Sequence, residues 1–126
     1  MTTEAYLLLI MHSKAPVITC REEASEFKPE NVLIATDFST LNAGFFKRLD
    51  LALGDKEVKK TLLFINTKKG FHTSEEIERK YRETVNKYYL KNTELLVRNA
   101  DKVVDGIFKV TDKEDFDLLA LTTRGR

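Results

Sequence analysis

The chain has 126 residues, 42% of them hydrophobic and 33% charged, the make-up of one folded domain with room for a real core. Its 21 basic and 20 acidic residues leave a net charge of +1 with no basic stripe, which argues against a nucleic-acid-binding module. The lone Cys20 rules out an internal disulfide and fits a reducing compartment.

In chain order, residues 2–13 read as a helix capped by Thr2 or Thr3, with Ala5, Leu8, Leu9 and His12 on one face. The apolar run at 6–11 is too short to span a membrane and lacks the flanks of a signal peptide, so the expected location is the cytoplasm, with no membrane partner. Residues 16–20 are a short β-prone run opened by Pro16. Residues 21–30 are polar and read as a linker.

The run Asn31, Val32, Leu33, Ile34, Ala35, Thr36 is apolar without alternation, the pattern of a strand buried on both faces. It stops at Asp37, Phe38 and Ser39. An acid at the carboxyl end of such a strand lies where open α/β folds bind ligands. Ser39 or Thr40 then caps a helix to about Leu53, with Leu41, Phe45, Leu49 and Ala52 at helical spacing and Gly54 as the stop. A second buried strand covers 60–66. Thr73 and Glu76 form a capping box for a helix running to about Leu90. A strand over 94–98, a helix over 101–113 and a last buried strand over 118–122 complete the chain. Gly106 sits inside the final helix, where close packing would account for it. This alternation predicts one α/β domain, residues 1–126, with a mostly parallel sheet and helices on both faces.

Four stretches in this order resemble the universal stress protein domain. They are Val32 to Ser39, the helix ending in Leu51 and Ala52, the strand Leu62, Leu63, Phe64, Ile65 with Asn66 and Thr67, and the run from Asp115 through Thr122 to Arg126. Asn66, Thr67, Phe71, Glu75, Glu76 and Ile77 also resemble a subgroup found as tandem domains in some bacteria. The resemblance covers 31–126. It implies an open, Rossmann-like five-stranded sheet of the adenine nucleotide alpha hydrolase type, in the order 3-2-1-4-5. That family has a final helix and fifth strand after its glycine-rich loop. Residues 2–20 resemble those pieces, so the N-terminal arm is expected to supply the fifth strand. The chain then resembles a cut through a tandem protein, or a circularly permuted domain. A linker of some ten residues reaches roughly 33 Å, enough for a lateral step of about 10 Å and a return along a strand of about 17 Å. Exchange of the arm between two copies is the alternative.

For function, the resemblance implies that Asp37 lies near the adenine and ribose in nucleotide-binding members, with Thr36, Thr122 and Gly125 completing a cofactor site for ATP or a relative. The plainer role for Asp37 is to cap the turn that follows it. Nucleotide-binding members carry Gly-x-x-Gly and a later Gly and hydroxyl, which turn amide groups inward around phosphates. Here Thr122 replaces the first glycine and Gly125 matches the second, so most of that cradle is lacking; Arg124 and Arg126 are weak substitutes at a terminus. A receiver-like phosphorylation domain would need an acidic pair after the first strand, where Phe38 stands.

His12, His72 and Cys20 are isolated from one another and show no metal-ligand spacing. His72 is expected to be solvent-exposed, and Cys20 inert. Ser39 has no histidine partner in any motif, so nucleophilic catalysis is unsupported. Tyr81, Tyr88 and Tyr89 read as core and rim. Lys56, Lys59, Lys60, Lys68 and Lys69 read as solvated loops. The expectation is a non-enzymatic stress-response or regulatory domain that acts as a homodimer, through an edge strand or an exchanged arm, without cofactor or metal. The alternative is an ATP-binding domain with a degenerate phosphate loop.

Overall fold

In the computed structural model, residues 6–11, 17–19, 30–39, 41–53, 58–114 and 116–123 are described. Its strands are β1 (Tyr6–Met11), β2 (Val17–Thr19), β3 (Asn31–Ala35), β4 (Lys59–Asn66), β5 (Thr93–Asn99) and β6 (Leu118–Thr123), and its helices are α1 (Ala43–Leu53), α2 (Ser74–Tyr88) and α3 (Val103–Lys113).

Four of the strands form the parallel core of the sheet in the spatial order β6-β3-β4-β5. The chain steps from β3 to β4 to β5, then returns across the sheet to lay β6 on the other side of β3. In the sequence-based numbering this is 3-2-1-4, as expected. The reversal puts a topological switch point between β3 and β6. Val32, Leu33 and Ile34 of β3 and Leu62 and Leu63 of β4 are fully buried, because both faces of these strands are covered.

One core contains Val32, Ile34, Leu62, Leu118 and Ala120 of the sheet with Phe45, Leu49 and Leu53 of α1, and Tyr81 and Tyr88 of α2 pack against it. The other contains Leu33, Ala35, Leu63 and Ile65 with Ile107 and Val110 of α3. Helices therefore lie on both faces. A Cβ on Gly106 would meet Ile65 Cδ1 and Cγ2 at 2.7 Å, so this glycine lets α3 sit down on β4.

The arm departs from expectation. Residues 6–11, expected as helix, form strand β1, parallel to β6 in the register Tyr6↔Leu118 to Met11↔Thr123. β2, within the run expected as the fifth strand, pairs antiparallel with β1 and lies beyond it, so among the described residues the sheet has six strands instead of five. A continuous apolar run such as Tyr6 to Met11 has no periodicity to separate buried strand from helix; pairing with β6 decides it. Residues 2–5 and 12–13, Pro16, Cys20 and the linker up to residue 29 lie outside the described residues.

Two helix boundaries also differ. α1 is capped by Asn42, whose Oδ1 accepts the Phe45 N–H at 2.8 Å; Ser39 is bonded to Asp37 instead, and Thr40 and Gly54 are outside the described residues. α2 carries the expected capping box, with Glu76 N–H on Thr73 Oγ1 at 3.2 Å and Thr73 N–H on Glu76 Oε1 at 3.1 Å, and ends at Tyr88 with Tyr89 in the left-handed conformation.

Candidate functional site at the carboxyl ends of the strands

The chain leaves β3 in two side-chain-closed turns. Thr36 N–H still donates to Leu63 O at 3.0 Å, and Thr36 Oγ1 accepts the Phe38 N–H at 2.8 Å. Asp37 Oδ1 accepts both the backbone N–H and the hydroxyl of Ser39, at 2.9 and 2.6 Å. Short polar side chains bonding two residues ahead are the usual way a strand turns sharply toward a helix. Phe38 pays for the turn with a φ of 73°, uncommon for a residue with a side chain. Its ring stacks on Phe64 of β4 at 5.9 Å, which holds it there. Asp37 thus builds the turn; the amino end of α1 belongs to Asn42.

A cleft of about 290 Å³ opens between this turn and α2. Asp37 and Ser39 line one side; Lys80, Glu83, Lys87 and Tyr88 line the other. Buried Thr84 sits between the lysines, its hydroxyl donating to Lys80 O at 2.8 Å. The Lys87 ammonium lies 5.5 Å from the Tyr88 ring centroid, and Tyr88 OH reaches Leu41 O at 3.4 Å. The lining is of mixed charge, two cations against two carboxylates. It can hold a small polar or zwitterionic molecule, or an anion near the lysines.

At the end of β4, Asn66 clamps the next loop. Its Nδ2 donates to His72 O and its Oδ1 accepts His72 N–H, each at 3.0 Å. His72 is half-buried, edge-on to Phe64 at 5.5 Å, with Nδ1 2.8 Å from Gly70 O, so it is a structural part of this loop and not a freely solvated side chain.

Thr36, Asp37 and Thr122 reach the same edge of the sheet: Ile34 lies opposite Ala120, and Thr36 and Thr122 each follow two residues later. Gly125, Arg124 and Arg126 lie outside the described residues, as do His12 and Cys20. Tyr81 and Tyr88 form the rim of the core, as expected, whereas Tyr89 is 87% exposed at the helix end. Lys59 pairs with Glu94 at 2.9 Å, and Lys60 is buried in β4 with its Nζ donating to Val58 O at 3.2 Å, so neither is a solvated loop residue. Lys80 and Lys87 are the site residues that sequence reasoning missed. Their separation of seven, with Thr84 between, is one face of α2, but only the tertiary fold turns that face toward Asp37.

Among the described residues two carboxylates are shifted. Glu76 titrates below its ordinary 4.5, chiefly because the Thr73 backbone N–H and then the Thr73 hydroxyl bond its charged form. Glu94 is lowered by the hydrogen bond from Lys59. Among the described residues no group of three or more His, Cys, Asp or Glu side chains is placed to hold a metal ion, and no helix is long and apolar enough to cross a membrane.

No family model and no curated protein matches the chain. Among solved structures, the chain is similar to protein Rv1636 from Mycobacterium tuberculosis H37Rv, with a TM-score of 0.52 and 21% identity over 73% of this chain and 69% of that one. At that identity the likeness is one of fold, an open α/β architecture.

Proposed function

We propose that this chain is a universal stress protein-like domain that acts without catalysis, in stress response or regulation, by associating with a second copy of itself. The observation that carries this is the surface. Leu51 is 73% exposed, Tyr89 more so, and Phe71, Val103, Val104 and Phe108 are all more than half exposed. These side chains are grouped, Val103, Val104 and Phe108 on α3 and Leu51 with Tyr89 along one groove, and grouped apolar side chains in water favour an interaction role over a solitary one. The four sequence stretches fall in order on β3, α1, β4 and β6, and this order, with the likeness of fold to Rv1636, supports the family assignment. Light scattering tests it: the expected mass is twice 14.5 kDa, and a monomer at high concentration overturns it. The lone Cys20 supports a cytoplasmic location.

An adenine nucleotide, ATP or a relative, is the second candidate. The cleft that joins Asp37, at the carboxyl end of β3, to Lys80 and Lys87 favours it; Thr36, Thr122 and Gly125 are further contacts only as the family resemblance implies them. Mass spectrometry of the supernatant from denatured protein should then show a co-purified nucleotide. A clean supernatant, with no thermal shift on adding millimolar ATP and magnesium, removes this candidate.

A further inference from the structure

We propose that the self-association surface is strand β5, paired antiparallel with β5 of a second copy about a two-fold axis at Leu96. This rests on the self-association reading above and says which surface carries it. β5 ends the sheet. Lys60 N–H donates to Asn92 O at 2.9 Å and Ala100 N–H donates to Asn66 O at 3.1 Å, so the even-numbered residues of this segment direct their backbone groups to β4. By the alternation of a strand, Thr93, Leu95, Val97 and Asn99 direct theirs outward. The Arg98 guanidinium, donating to Val97 O at 2.9 Å, marks one of these outward carbonyls. β5, Thr-Glu-Leu-Leu-Val-Arg-Asn, contains neither proline nor lysine, and its two charged residues, Glu94 and Arg98, are of opposite sign and do not repel a reversed copy of the strand.

That sequence is complementary to itself when reversed. With Leu96 opposite Leu96 of the second copy, Leu95 meets Val97, Glu94 meets Arg98 and Thr93 meets Asn99. Apolar faces apolar, acid faces base, polar faces polar. The outward residues fall opposite one another, Leu95 with Val97 and Thr93 with Asn99, so they form hydrogen-bonded pairs, about eight bonds in all. Leu96 and the Glu94–Arg98 pairs fall at the non-hydrogen-bonded positions, where side chains approach most closely. A shift of two residues either way sets Leu96 against Arg98 or Glu94 and loses both charge pairs, so the register is specified.

The surroundings fit a second strand. Leu96 packs against the α3-side core, and Leu95 and Val97 line a cleft of about 590 Å³ beside α2, rimmed by Phe71, Ile77 and Tyr81. All three β5 apolar residues are only half-buried. The Glu94 and Arg98 side chains keep 55% and 50% of their surface open. Their present partners are Lys59 at 2.9 Å and Glu114 at 3.8 Å, both exposed pairs that leave room for a second contact.

Charge reversal and cross-linking test the interface. Glu94→Arg and Arg98→Glu each place like charges opposite one another and should weaken the dimer about tenfold or more, while the double variant restores it. Circular dichroism and melting confirm that each variant folds. In a Cys20→Ser background, Leu96→Cys should oxidise to a covalent dimer, because facing Cα atoms at this position lie about 4.5 Å apart. A wild-type monomer overturns self-association altogether. A dimer indifferent to both single reversals and to Leu96→Cys overturns β5 alone and leaves self-association standing. A Leu96→Cys cross-link to a foreign polypeptide also overturns it, in favour of a different partner for this edge.

Discussion

Asp37, Gly106 and Glu76 show how single residues act here through their immediate neighbours. Asp37 ends a buried strand and would be taken for a ligand contact on position alone, but its carboxylate accepts two bonds from Ser39 and shapes the turn. Gly106 interrupts a helix at a cost of about 1 kcal/mol in propensity, and the approach of Ile65 explains why. Gly106→Ala should therefore lower stability by about 1–2 kcal/mol instead of raising it, the overpacking outweighing the propensity gain; a denaturant titration reads this, and Ile65→Val should recover part of the loss. Glu76 gives a pH signature. Its carboxyl titrates lower in the fold than its ordinary 4.5, so its contribution is present above that value and is lost as pH falls through the lower, folded value. Urea midpoints should decline as pH drops below 4.5, and Glu76→Gln should flatten that decline. Glu94, lowered by Lys59, acts in the same direction.

At the level of elements, β6 is locked to β3 by one side chain. Asp117 Oδ2 accepts the N–H groups of Glu30 and Asn31 at 2.7 and 2.9 Å, and Asp117 N–H donates to Asn31 O at 2.9 Å. A carboxylate receiving two backbone donors at a strand start sets the register between strands that are far apart in sequence. Asp117→Ala should cost about 2 kcal/mol, two charge-assisted bonds being lost and one donor left half-buried; thermal melting checks it, and Asp117→Asn should recover part of the loss. The helices tell a similar story. The Thr73–Glu76 box was legible because both partners lie within one turn. The start of α1 was misplaced because Ser39 is as good a cap as Asn42 by composition, and only the bond from Ser39 to Asp37 removes it from the contest.

For the whole molecule, the return of the chain from β5 to β6 creates the switch point and brings Thr36, Asp37 and Thr122 to one edge. β1 then covers the far side of β6, so the arm supports the strand that carries Thr122. Deleting residues 2–20 should expose that edge and give aggregation or a non-cooperative melt; a truncated chain that stays soluble and unfolds cooperatively would show that the sheet does not depend on the arm. On the opposite side, among the described residues, β5 is the edge of the sheet, with a sequence that is complementary to itself when reversed.

By itself the sequence determined the four strands of the parallel core, the three helices that cover them, and the acid at the end of β3. Those signals are local: unbroken apolar runs of strand length, apolar residues at helical spacing, and a capping box within one turn. Three things waited for the tertiary structure. Tyr6 to Met11 became a strand because β6 offered an edge to pair with, which no apolar count within the segment foretells. Lys80 and Lys87 became cleft residues because α2 is laid beside the turn of Asp37, far away in the chain. Asp37 itself became a turn-builder beside a cleft of mixed charge, because a carboxylate takes its role from the donors that the fold brings within reach.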